Sequence, residues 1–222
     1  MIISWIPDKS GRFRLRPYFS LEGMDRHCER IADQHNRKLY GQPVPGLRTD
    51  ALLRMLNDYA DLHLYEDLSE YGADVEAVTV FATGKKPTVR IARELYLDRW
   101  QNNHLRFVLA HEYYHVRFQG AAWRRRWIKH GDIVHCSPNK MLTLDAGYDW
   151  WEWQPSFLGA STLMPKTQVG CMVTNYFGGK ASVRLPRDCR DANNLSQRAA
   201  ELFEVSYDCA NIRLCQLGYL ID

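Results

Sequence analysis

The chain lacks any apolar run long enough to cross a bilayer, so no membrane span is expected. Its start, Met1-Ile2-Ile3-Ser4-Trp5-Ile6-Pro7-Asp8-Lys9, has a short apolar patch with no basic segment before it, and charges follow soon after. That is not the pattern of a secretory signal. The six cysteines, at 28, 136, 171, 189, 209 and 215, include no C-x-x-C pair and no zinc-ribbon spacing. Without a signal, the expectation is free thiols in a reducing, cytoplasmic setting, not a disulfide framework. Charge of one sign is not in excess either: the net charge of +3 is too small to argue for nucleic acid. No internal repeat or low-complexity segment is visible. What remains is a globular composition, 45% hydrophobic and 12% aromatic, over 222 residues. That length suits one large domain, or one domain with a small appendage.

The informative stretch is Leu109-Ala110-His111-Glu112-Tyr113-Tyr114-His115, which reads H-E-x-x-H. The apolar residues before it (Phe107, Val108, Leu109, Ala110) suit a buried helix. On a helix, positions i and i+4 share a face, so His111 and His115 can offer two imidazole nitrogens to one metal ion. Glu112 sits one step round the turn, placed to reach a metal-held water and not to be a ligand itself. A zinc hydrolase needs this arrangement: two neutral histidines, a carboxylate base and an open coordination position. The bland alternative is a core helix with two surface-facing histidines and a solvated Glu.

Residues 1–19 read as an arm interrupted by Gly11 and Pro17. Ser20 can cap a helix running to about Tyr40, with Met24, Cys28, Ile31, Ala32 and Leu39 apolar and Gly41 as its stop. After a turn at 42–46, Thr49 is expected to cap a second helix carrying Leu52, Leu53, Leu56 and Tyr59. Strand candidates follow at 62–65, 77–81 and 88–91, the last two joined by the turn at 83–87. They predict a small antiparallel sheet ahead of the motif helix, which should run from Asn102 or Asn103 to about Gly120. An edge of such a sheet, if near a metal, can pair with an extended substrate by main-chain hydrogen bonds; otherwise the sheet is scaffold.

His104 lies two turns, about 10 Å, before His111 along the helix, so it reads as a surface or supporting histidine. The run Trp123-Arg124-Arg125-Arg126-Trp127-Ile128-Lys129-His130 has two readings. It can grip phosphates or an acidic peptide, or it can be a solvated helix face with inward tryptophans, which is commoner. His135-Cys136 has no partner at a ligand spacing, which favours a structural role.

A third ligand is available further on. Residues 148–165 read as a second helix, rich in small residues in its later turns and stopped by Pro165. Glu152 follows His115 at a separation that leaves room for a loop and a returning helix. His111, His115 and Glu152 have the ligand types of catalytic zinc (Zn2+), with the fourth position left for water. Glu152 has a bland reading too, as the end of a capping box with Asp149. Pro155 argues against that register, because it would then fall in the sixth helical position. A start nearer Glu152 puts Pro155 in the first turn.

Three blocks resemble the ImmA/IrrE-type zinc metallopeptidases. Leu105-Arg106-Phe107-Val108-Leu109-Ala110-His111-Glu112-Tyr113-Tyr114-His115 is similar to that family's metal helix. The stretch from Glu152 to Pro165 is similar to its second ligand helix, with Phe157, Leu163, Met164 and Pro165 in matching places. Residues 75–80 and 87–91 resemble its hairpin more mildly. The likeness spans about residues 20–165. It implies an α+β, zincin-like fold with helices on a small antiparallel sheet, zinc on His111, His115 and Glu152, and Glu112 as the base. It also implies cleavage of a helix-turn-helix transcriptional repressor in a stress or mobile-element circuit. The chain departs from the family pattern at Tyr114, usually Gly, at Pro155, usually a small residue, and in its long basic loop.

Beyond 165 a C-terminal extension (166–222) is expected, with a strand at 169–177, a turn at Gly178-Gly179 and a helix-turn-helix-like pair over 195–217, packed on the first domain (1–165). The second helix of the pair offers only Asn211 and Arg213 to DNA, which favours packing or repressor docking over direct DNA reading. The leading expectation is a zinc-dependent endopeptidase. The alternative is a non-catalytic module that binds a repressor or DNA through the basic loop and the C-terminal helices. Tyr148, His135 and His104 are the candidates for stabilising an oxyanion.

Overall fold

In the computed structural model, residues 4–9, 14–42, 44–82, 84–98, 101–121, 150–180 and 182–222 are described, together with the backbone of 132–136. The basic loop at 123–130 and Tyr148 lie outside these residues, as does the side chain of His135.

The expected N-terminal arm is a hairpin: β1 (Ser4–Pro7) pairs antiparallel with β2 (Leu15–Tyr18). Helix α1 (Leu21–Tyr40) starts where Ser20 Oγ accepts the Gly23 N–H at 3.1 Å. It ends at Gly41, whose φ of 70° is the left-handed conformation that glycine adopts at no steric cost. Its buried row, Met24, Cys28, Ala32 and Asn36, steps by four residues and packs on the core. Helix α2 (Thr49–Tyr59) begins one residue earlier than its sequence suggests: Thr49 is already helical, and Arg48 is the cap residue without a side-chain hydrogen bond.

The main sheet has the order β3-β5-β4-β6, from β3 (Asp61–Glu66), β4 (Ala77–Phe81), β5 (Thr88–Ala92) and β6 (Asp132–Cys136). It is mixed, not purely antiparallel as expected. The β4–β5 hairpin is antiparallel, but β3 joins the far side of β5 and runs parallel to it, pairing Leu62 with Val89. Arg90 of β5 ties this seam by donating to Glu66 at 2.7 Å and to Tyr71 Oη at 2.9 Å. Strand β6, which the sequence pattern did not reveal, takes the other side of β4 with Thr79 opposite Val134. Strand β4 therefore has no free edge.

After the short α3 (Arg93–Leu97) comes α4 (Asn102–Tyr114), which carries the motif and is buried along almost its whole length. It continues as a π turn, His115–Gln119. Helix α5 (Trp150–Leu163) returns beside α4. Gly159 makes the approach close: a Cβ there would lie 3.3 Å from the His111 backbone nitrogen. Pro155 is well inside α5, in its second turn, which corrects the expectation of a first-turn proline.

The expected strand at 169–177 is a helix, α6 (Lys166–Tyr176). The β-branched residues there suggest a strand, but Val169, Met172 and Val173 recur at helical spacing and are the buried face. Helices α7 (Arg190–Phe203) and α8 (Tyr207–Gln216) form the terminal pair, α7 starting earlier than expected behind Cys189. A short parallel pair, β7 (Leu185–Pro186) and β8 (Leu220–Ile221), closes the chain.

Two buried arginines join the terminal pair to the rest. Arg106 of α4 donates to the carbonyls of Phe203 at 2.8 Å and Glu204 at 2.5 Å, and to that of Leu47, so it serves the C-terminal end of α7. Arg213 of α8 donates to Asp25 of α1 at 2.6 Å and to the Met164 carbonyl at 3.2 Å. Ser161 of α5 completes the set by donating to Asp25 at 3.0 Å. These contacts cross the division expected at 165. Among the described residues no helix is long and apolar enough to cross a membrane, and Cys28, Cys171, Cys189, Cys209 and Cys215 are free thiols.

Candidate metal centre

His111, His115 and Glu152 converge from α4, the π turn and α5. Both imidazoles are fully buried and Glu152 is 9% exposed. The His111 and His115 Nε2 atoms are 2.8 Å apart, and Glu152 Oε2 lies 3.3 Å from the first and 3.5 Å from the second. For a tetrahedral ion with bonds of about 2.0–2.1 Å, ligand atoms should be about 3.3–3.4 Å apart. The observed triangle brackets that edge, so the group can hold a metal ion.

Hydrogen bonding fixes which nitrogens face the centre. Ser156 Oγ donates to the Glu152 carbonyl at 2.8 Å, so it accepts from His111 Nδ1, 3.2 Å away. Gln119 Oε1, which can only accept, takes the His115 Nδ1–H at 2.6 Å. Gln119 thus sets the His115 proton on Nδ1, and the Ser156 arrangement favours the same at His111; each ring can then turn an Nε2 lone pair inwards, the tautomer a metal ligand needs. Two lone pairs and a carboxylate facing one another call for a positive charge between them. Without a metal, a proton supplies it. Burial opposes a charged His115, but the Glu152 carboxylate outweighs it and raises His115 to about 9. Burial alone would raise Glu152; the two histidines reverse that and hold its carboxyl well below the usual range.

Glu112 is fully buried beside this group. Its Oε2 accepts from Thr79 Oγ1 of β4, and its Oε1 has no hydrogen-bond partner. A buried carboxylate oxygen held in this way has capacity left for a water or an amine proton.

Tyr114 packs away from the centre. Its ring is fully buried, its hydroxyl lies 2.5 Å from Thr162 Oγ1 and 3.4 Å from Cys28 Sγ, and its face meets Phe118. His104 is not in the group; its Nε2 pairs with Glu76 at 2.7 Å. Asn211 and Arg213 are turned inwards, Asn211 donating to Ser196 at 3.2 Å, so neither is offered to a partner.

Four contributors escaped the sequence reading: Thr79, Gln119, Ser156 and Gly159. Gln119 and Ser156 left a signal, since each stands four residues after a ligand, on the same helical face. Thr79 left none, because its meeting with Glu112 is tertiary. Compared with known proteins, the chain matches no family model, no curated protein and no solved structure.

Proposed function

We propose that the chain is a zinc-dependent endopeptidase of the zincin type. One observation carries the reading: two histidines, with their Nδ1 atoms against Gln119 and Ser156, converge with a carboxylate, and a buried carboxylate with one free oxygen lies beside them. A structural zinc site has four protein ligands; here three converge among the described residues.

A zinc ion held by His111, His115 and Glu152 supplies Lewis acidity, acidifying water and polarising a carbonyl oxygen. Glu112 Oε1 takes the proton of the attacking water and returns it to the nitrogen of the departing amine. Thr79 holds the other Glu112 oxygen, so the carboxylate keeps one orientation through both transfers. Ser156 and Gln119 keep the imidazoles in the tautomer that leaves Nε2 unprotonated.

The resemblance to the ImmA/IrrE-type peptidases adds a substrate class, a helix-turn-helix transcriptional repressor, and the cysteine pattern adds a cytoplasmic site of action. Because β6 covers β4, an extended substrate that adds to the sheet at this end must add to β6. Incubating the zinc-loaded protein with its candidate helix-turn-helix repressor, and weighing the products, tests the reading. One defined cut that disappears in Glu112→Gln is expected. An intact repressor, or equal cutting by Glu112→Gln, rules the reading out.

A further inference from the structure

Gln119 is buried, and both ends of its amide are committed. Its Nε2 donates to the Trp151 carbonyl of α5, and its Oε1 accepts from His115 Nδ1 at 2.6 Å. The first bond has a cause in the sequence. The natural donor to a helical carbonyl is the N–H four residues on, which for Trp151 is residue 155, a proline. Pro155 thereby reserves the Trp151 carbonyl for an outside donor.

That reservation dictates the rest. An amide that must present its NH2 to Trp151 can present only oxygen at its other end. The His115 nitrogen facing that oxygen must carry the proton, and the opposite nitrogen is left with its lone pair towards Glu152 and His111. We propose that Gln119 is a positioning residue for the metal centre and that Pro155 sets its orientation. The proposal rests on the metal reading above.

His111 is held differently. The Ser156 hydroxyl can both donate and accept, so its partners do not fix one arrangement as firmly. The Gln119 amide cannot reverse without setting its Oε1 against the Trp151 carbonyl oxygen, two acceptors face to face. Its place supports the same role: Gln119 closes the π turn that starts at His115, so ligand and support ride on one local irregularity.

Three variants separate positioning from mere packing. Gln119→Met keeps the volume and removes both bonds; zinc affinity, read by chelator competition, should fall about 10- to 100-fold. Gln119→Glu keeps an acceptor for His115 and should hold affinity near wild type while lowering the melting temperature, since the bond from residue 119 to the Trp151 carbonyl is lost. The decisive protein is Gln119→Met with Pro155→Ala. Alanine restores an N–H for the Trp151 carbonyl, so stability should return while zinc affinity stays low. Recovery of wild-type affinity in that double variant would overturn the proposal, because Gln119 would then serve only the carbonyl. A wild-type protein that takes up no zinc would overturn the metal reading itself and this proposal with it.

Discussion

Replacing Gly159 by alanine tests how tightly the two ligand helices must pack. On an open helix face this substitution stabilises by about 1 kcal/mol through helix propensity. At 159 the added Cβ would lie 3.3 Å from the His111 nitrogen and 3.5 Å from the Ala110 carbonyl carbon. Both neighbours are backbone atoms of α4, so a helix has to move and no side chain can swing aside. Overpacking of this kind costs about 1–3 kcal/mol. The net effect should be a loss of about 1 kcal/mol, or roughly 2–4 °C in melting temperature for a chain of this size. The larger consequence concerns the metal. Glu152 is on α5 and His111 on α4, and their ligand atoms are 3.3 Å apart. Separating the helices by a few tenths of an ångström stretches that edge of the site. Thermal melts and chelator competition on Gly159→Ala should show lower zinc affinity together with the lower melting temperature. A variant that melts higher than wild type and binds zinc as well would show that the α4–α5 contact at Gly159 is not tight.

Asp25→Ala leaves the buried Arg213 guanidinium without its carboxylate and should cost about 3–5 kcal/mol in denaturant unfolding. Combining it with Arg213→Met should cost clearly less than the two singles added together. Arg106→Met strips donors from the carbonyls of Leu47, Phe203 and Glu204; at about 1–3 kcal/mol per buried orphan, a loss of about 3 kcal/mol is expected, with exchange protection falling first at the α7–α8 turn. His27 is depressed to about 4 by burial first, then by Arg30 and Arg117. It stays neutral in the folded chain while its unfolded counterpart takes up a proton near 6.5. Stability should therefore fall as the pH drops from about 6.5 towards 4, and His27→Gln should show a shallower fall in denaturant midpoint over that window. Equal slopes for the two proteins would contradict this.

The parts of the fold that were legible in the sequence are those set by local chemistry. Ser20 and Gly41 bound α1 as their cap preferences require, and the apolar approach to His111 placed α4. The histidine pair was legible because i, i+4 geometry is fixed within one helix. Glu152 was reachable because it opens the block that resembles the family's second ligand helix and follows His115 at a separation that leaves room for a returning helix. What the sequence hid is what tertiary contact decides. The parallel alignment of β3 with β5 depends on which side of the hairpin β3 joins, and no residue of Leu62–Tyr65 encodes that choice. Residues 169–177 look β-prone, yet burial of Val169, Met172 and Val173 together decided for helix. Pro155 argued for a later helix start, and the chain instead tolerates it mid-helix by giving the Trp151 carbonyl to Gln119. Tyr114 stands where the family usually has Gly, and its pocket between Cys28 and Thr162 is made by two other helices, which no local pattern reveals.

X-ray absorption at the zinc edge, on protein loaded with one equivalent of zinc, reads the ligand set of the proposed His111, His115 and Glu152 site. A site built on His111, His115 and Glu152 should show one tightly held ion with two imidazoles around it, light oxygen or nitrogen atoms at about 2.0–2.1 Å and no sulfur. It should also lose one oxygen ligand in Glu152→Ala. A protein that holds no zinc, a sulfur-containing shell, or a shell unchanged in Glu152→Ala would contradict this ligand set.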